Sequence, residues 1–179
     1  ILPKFNYIPE KTKIAVQGFG NVGAILAELL CKAGCKVVAV SDSQGGIYSD
    51  KGLDIHSIRQ YKNERRTMKA VYCEGSVCNI VEHKVISNAE LLTLDVDVLI
   101  PAALENQITE ENASDVKAKL IFEVANGPIN SAADLILEKK GIQVFPDILA
   151  NAGGVTVSYF EWVQNRSGLY WTLKEINQR

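Results

Sequence analysis

The 179 residues are 47% hydrophobic and 22% charged, with a formal net charge of −2. That balance describes one ordinary globular domain, large enough to bury a core without metal or disulfide staples. A charge so near neutral gives no general attraction for a polyanion, so no nucleic-acid partner is expected.

Ile1 to Asn6 lack a basic stretch leading into an apolar one, and no apolar run is long enough to cross a bilayer. A soluble, cytoplasmic protein without a membrane partner is expected. Cys31, Cys35, Cys73 and Cys78 stand at three- and four-residue spacings with no histidine beside them. That pattern writes neither a zinc ribbon nor a C-x-x-C redox pair, and it reads as reduced thiols with no metal site. His56 and His83 have no partner cluster and read as surface or turn residues, and Lys11 to Lys13 and Glu64 to Lys69 as solvated charge.

Along the chain, Thr12 to Gln17 is apolar and β-branched. A glycine cluster follows, then Val22, Ile25, Leu26, Leu29 and Leu30 at helical spacing. Gly34 ends that helix, and Lys36 to Val40 predicts a second, doubly buried strand. Ser41 to Tyr48 reads as a loop, and Leu53 to Asn63 as a helix capped near Asp50. Between Arg65 and Ile86, Val71, Val77, Ile80 and Val85 suggest short strands, and Asn88 begins a short helix. Val96 to Ile100 predicts a strand stopped by Pro101. Leu120 to Val124 and Gln143 to Phe145 follow as strands around a helix from Ser131 to Glu138, capped by Asn130 or Ser131. Val155 to Asn165 and Tyr170 to Asn177 read as aromatic-rich helices. Strands alternating with helices imply an α/β fold with a doubly wound, mostly parallel sheet of the Rossmann type.

The strongest local signal is Gly18-Phe19-Gly20-Asn21-Val22-Gly23, set between a predicted strand and a predicted helix. Gly18 allows a tight turn, Gly20 lets the backbone approach a pyrophosphate, and Gly23 lets the helix pack closely. The helix's free amides and positive end then favour the anion. Asp42, about twenty residues past the last glycine, is placed to bond a ribose diol. An acid there favours NAD, but Ser43 can donate to a 2′-phosphate and Lys36, Lys51 or Arg59 can fold toward it, so the coenzyme stays open between NAD and NADP. Pro101 to Asn106, Ala125 to Pro128 and Pro146 to Val155 stand past strand ends, where open α/β sheets bind ligands; Asn126 and Asn151 offer amides there.

The strings Q-G-F-G-N-V-G from Gln17, S-D-S-x-G-G-I-Y from Ser41, P-A-A-L-E-N-Q-I from Pro101, A-N-G-P from Ala125 and P-D-I-L-A-N-A-G-G-V-x-V-S-Y-F-E-W from Pro146 resemble the coenzyme domain of the glutamate dehydrogenase family. Together they cover most of the chain. The resemblance implies that Gly18 to Val22 meet the pyrophosphate, Asp42 and Ser43 the adenosine ribose, Ala102, Ala103 and Asn126 the nicotinamide side, and Asn151 its ribose or carboxamide. It implies that Val155 and Ser158 hold the distal carboxylate of glutamate, although a helical serine more simply bonds its own backbone. It further implies reversible deamination of glutamate to 2-oxoglutarate and ammonia by a full-length hexamer. On this resemblance, 1–179 is a dinucleotide-binding fragment whose substrate and catalytic domain is absent, so no catalytic residue is expected here. Residues 155–179 then begin a helical return toward that domain. Two alternatives stay open: a non-catalytic nucleotide-sensing module, and the coenzyme domain of a leucine, phenylalanine or valine dehydrogenase.

Overall fold

The computed structural model describes residues 7–65 and 83–179. A seven-stranded sheet runs through it, built from β1 (Lys13–Gln17), β2 (Lys36–Asp42), β3 (Gly45–Tyr48), β4 (Lys84–Ile86), β5 (Val98–Pro101), β6 (Leu120–Phe122) and β7 (Gln143–Phe145). Their order across the sheet is β4-β3-β2-β1-β5-β6-β7. Strands β2, β1, β5, β6 and β7 are parallel, while β3 and β4 add an antiparallel edge. The expected mostly parallel, doubly wound sheet is therefore present. The chain steps outward from β1 to β2 and later returns to place β5 on the other side of β1, which makes the β1–β5 boundary the topological switch point.

Both faces are covered. One is packed by α1 (Asn21–Lys32) and α2 (Ile55–Arg65), around Ile14, Val16, Val37, Val40, Ala27 and Ile58. The other carries α3 (Asn88–Leu92) and α4 (Ser131–Lys139), around Ala15, Val38, Ala39, Leu91, Leu99 and Leu137. Strand side chains alternate between faces with a period of two. β2 breaks that period, because the register with β1 shifts between Ile14 and Ala15 and a bulge lets Val37 and Val40 share one face. Three more helices, α5 (Asp147–Ala150), α6 (Ala152–Ser167) and α7 (Leu173–Gln178), complete the chain. No helix among the described residues is long and apolar enough to cross a membrane.

Local chemistry explains the boundaries. Gly34, at φ +87°, closes α1: its N–H reaches the Cys31 carbonyl at 3.0 Å and that of Cys35 the Leu30 carbonyl at 2.9 Å. Ser87 and Glu90 form a capping box on α3, and Asn130 caps α4 by accepting from Ala133 N–H at 2.8 Å. The α2 helix starts at Asp54 rather than Asp50: Asp54 accepts from the Ser57 N–H at 3.1 Å, while Asp50 is bound to Lys13 at 2.6 Å.

The predicted loop from Ser41 to Tyr48 is instead a β-hairpin, with a two-residue turn at Ser43 and Gln44. Asp42 Oδ1 accepts the Gln44 N–H at 2.9 Å, and Gly46 lies so close to its partner strand that a Cβ would stand 2.8 Å from the Val40 carbonyl. A Gly-Gly pair weakens the strand signal in sequence although the pairing itself demands small residues. Of the strands suggested between Arg65 and Ile86, Val85 lies in β4; Val71, Val77 and Ile80 lie outside the described residues, as do Cys73 and Cys78.

Candidate functional site

The site grows from the turn between β1 and α1. Gly18 sits at φ +96°, and a Cβ there would stand 2.6 Å from the Ala102 carbonyl oxygen and 2.8 Å from the Ala103 Cα. Only glycine fits where the ends of β1 and β5 press together at the switch point. A Cβ on Gly23 would meet the Gly18 carbonyl at 1.9 Å, so the first turn of α1 rests directly on the glycine loop. Gly20 is the opposite case, since a Cβ there would meet nothing within 4 Å. It is the cap residue of α1 and offers no side chain to the first-turn amides. The cradle fits a pyrophosphate: an uncapped twelve-residue helix presents its positive end at an open glycine. The Phe19 side chain is in the core and its N–H donates to the Ser41 carbonyl at 2.6 Å, while Asn21 and Val22 are exposed at the helix start.

Asp42 ends β2 beside this loop. Its Oδ2 lies 3.2 Å from the Lys62 ammonium, and that ammonium donates to the Phe19 carbonyl at 2.6 Å. The Lys62 Nζ also stands 5.7 Å from the Phe19 ring centroid. Ser43 is exposed in the hairpin turn next to it. A recess of about 180 Å³ joins Phe19, Gly20, Asn21, Arg59 and Lys62.

The basic residue near Asp42 is thus not one of the three that the sequence suggested. Arg59 is held by Glu28 at 2.5 Å. Lys36 begins the strand that Asp42 ends, about 20 Å away at the usual rise of a β-strand. Lys51 follows Asp50, which is tied to Lys13 at that same lower end of the sheet. Lys62 was legible in principle. It continues the Ile55 and Ile58 stripe of α2 at helical spacing, where an apolar residue is expected.

Across the switch point stand the ends of β5, β6 and β7. Ala102 is half-buried and Ala103 exposed against the glycine loop. The Asn151 amide donates to Asn126 Oδ1 at 2.7 Å, so these two sequence-predicted residues form one pair. A cleft of about 740 Å³ runs past Asn21, Val22, Asn126, Asn151, Gly154 and Val155. Val155 is 71% exposed on the first turn of α6, one turn before Ser158. Ser158 donates to the Gly154 carbonyl at 3.1 Å, the bond to its own helix that the simpler reading expects.

Two acids behind the cleft escaped sequence reasoning. Glu123, directly after β6, is buried and accepts the Asp147 N–H at 3.0 Å; burial pushes its carboxyl pKa up. Asp147 in turn accepts the Gly127 N–H at 2.9 Å.

With the geometry in place, comparison decides the family. Residues 2–179 match the Glutamate/Leucine/Phenylalanine/Valine dehydrogenase family. The chain belongs to this dehydrogenase family. It is 65% identical over all 179 residues to the NADP-specific glutamate dehydrogenase of Synechocystis sp., covering 42% of that relative. It is 49% identical over 170 residues, 95% of its length, to the NAD-specific glutamate dehydrogenase of Staphylococcus aureus, covering 39% of it. Among solved structures it resembles the hetero-hexameric glutamate dehydrogenase of Thermus thermophilus, with a TM-score of 0.85 at 30% identity over 99% of this chain and 40% of that one. The glutamate dehydrogenase of Peptoniphilus asaccharolyticus gives 0.73 at 37% identity over 99% and 38%. The chain therefore spans about two fifths of the length of these dehydrogenases.

Proposed function

We propose that the chain is the dinucleotide-binding part of an oxidoreductase that converts L-glutamate reversibly to 2-oxoglutarate and ammonia. The observation that carries this reading is the meeting of Gly18 with Ala102 and Ala103 at the switch point, beneath the open end of α1. The pyrophosphate binds Gly18 to Val22 and the helix end, with Gly20 giving the close approach and Gly23 the close helix packing. Asp42 and Ser43 take the adenosine ribose. Ala102, Ala103 and Asn126 flank the nicotinamide, and Asn151 its ribose or carboxamide. When bound, the nicotinamide accepts or returns a hydride; these residues bind and orient it.

Lys62 favours NADP, because it neutralises Asp42 and leaves donors where a 2′-phosphate would enter. The NADP-specific name of the 65% identical relative supports the same choice. Val155 and Ser158 face the substrate: the Ser158 hydroxyl turns from Gly154 to donate to the distal carboxylate of glutamate. These 179 residues supply orientation rather than acid or base, so alone they bind coenzyme without turnover. We further propose that the full-length protein assembles as a hexamer, as the Thermus relative's name supports. A cytoplasmic location belongs to the same proposal, and the free thiols of Cys31 and Cys35 fit it.

The test is coenzyme reduction by the full-length protein with glutamate, leucine and phenylalanine in parallel. Turnover of glutamate is expected. Turnover of leucine or phenylalanine without glutamate refutes the substrate assignment, and coenzyme binding with no turnover of any favours a nucleotide sensor.

A further inference from the structure

Asn126 and Asn151 leave different strands, β6 and β7, and 25 residues of chain separate them. Their mutual bond needs both loops to be held in place. Glu123, directly after β6, anchors the other loop: its Oε2 accepts the N–H of Asp147, the first residue of α5 after β7, at 3.0 Å. Asp147 extends the link by accepting the Gly127 N–H at 2.9 Å, and the Gly127 carbonyl accepts from Asn106 N–H in the loop after β5. Three loops at the nicotinamide half of the cleft are thereby joined in series, starting from Glu123, which is 8% exposed.

The chemistry of that side chain is costly. A buried carboxylate loses hydration, and Asp147 and Asp134 oppose its charge. The donor that compensates it is the Asp147 N–H, so this hydrogen bond fixes the segment after β7 as well as partnering the acid. The adenosine half depends on other contacts, those among Asp42, Lys62 and Phe19.

We propose that Glu123 is a positioning residue for the nicotinamide riboside: through Asp147 and the 125–129 loop it presets Asn126 and Asn151 as one pair of amides, so that binding orders no loop. This rests on the coenzyme reading above. Preset loops remove an ordering cost that otherwise subtracts from affinity.

The experiment compares two ligands on the full-length protein. NADPH needs both halves of the cleft, whereas adenosine 2′,5′-bisphosphate needs only the adenosine half. Glu123→Ala is expected to weaken NADPH about tenfold or more while leaving the bisphosphate within about twofold. Glu123→Gln keeps an acceptor for the Asp147 N–H and is expected to recover most of the loss. Asp147→Ala, a change at a half-buried position, cuts the link to Gly127 and the local bond from the Ile148 N–H while keeping the backbone bond to Glu123, and a smaller loss with the same selectivity is expected; it decides the matter where Glu123→Ala does not fold. Equal weakening of both ligands, or unchanged NADPH affinity in the alanine variants, overturns the proposal. A wild-type protein that binds neither ligand refutes the coenzyme reading itself, and this inference with it.

Discussion

Replacing Lys62 by glutamine should separate the two coenzymes. The ammonium lies 3.2 Å from Asp42 Oδ2 and 2.6 Å from the Phe19 carbonyl, with its side chain 24% exposed. A charged hydrogen bond in such a partly buried place contributes about 1.5–3 kcal/mol, and each 1.4 kcal/mol is a factor of about ten. Without Lys62, moreover, Asp42 faces the 2′-phosphate unneutralised. NADPH affinity should therefore fall by roughly 10- to 100-fold, while NADH, which has no 2′-phosphate, holds or improves as Asp42 is freed for the diol. Fluorescence titration of both coenzymes at low and high salt measures the ratio. Lys62 also supports the glycine loop through Phe19, and loss of that support would weaken both coenzymes alike. An unchanged NADPH to NADH ratio would refute the reasoning.

Gly23→Ala puts a Cβ 1.9 Å from the Gly18 carbonyl, so the loop must move. A loss of about 1–3 kcal/mol in thermal stability is expected together with weakened coenzyme binding, and wild-type behaviour in both would contradict the packing argument. Asp97 bridges two strand starts, accepting from Lys13 N–H at 3.0 Å and from Lys119 at 2.8 Å. Burial pushes its carboxyl pKa up, but the bonds from Lys119 and Lys13 outweigh it and hold the value below 3.8. Because the folded pKa is depressed, its stabilisation is present above the unfolded value and disappears as pH falls through the folded one. Asp97→Asn should thus cost about 1 kcal/mol in urea unfolding at pH 7 and progressively less below pH 3.8, and an equal loss throughout is the contrary result. Ser158→Ala in the full-length protein should raise the glutamate KM about tenfold with coenzyme affinity unchanged; a matching change in both would remove Ser158 from the substrate.

Sequence carried the parts of this account that depend on local chemistry. The glycine loop, Asp42 and the strand ends at Pro101, Ala125 and Pro146 were legible, because a turn at positive φ and a buried strand both constrain residue type. The Ser43–Gln44 hairpin was hidden by Gly45 and Gly46, which suit its close pairing yet read as a loop. Lys62 and Glu123 were not found because their partners are distant in sequence: Lys62 meets Phe19 across 43 residues, and Glu123 meets Asp147 across 24. Both lie on apolar stretches, α2's buried stripe and the end of β6, and a charge in such a place is the only local sign of a long-range role.

The most direct test of the central claim is titration of the 179-residue chain with NADPH and NADH, followed by calorimetry or nucleotide fluorescence. One saturable site, tighter for NADPH and displaced by adenosine 2′,5′-bisphosphate, is the expected result. Failure of both coenzymes to bind the folded chain would contradict the assignment of the glycine loop and Asp42 as a dinucleotide site.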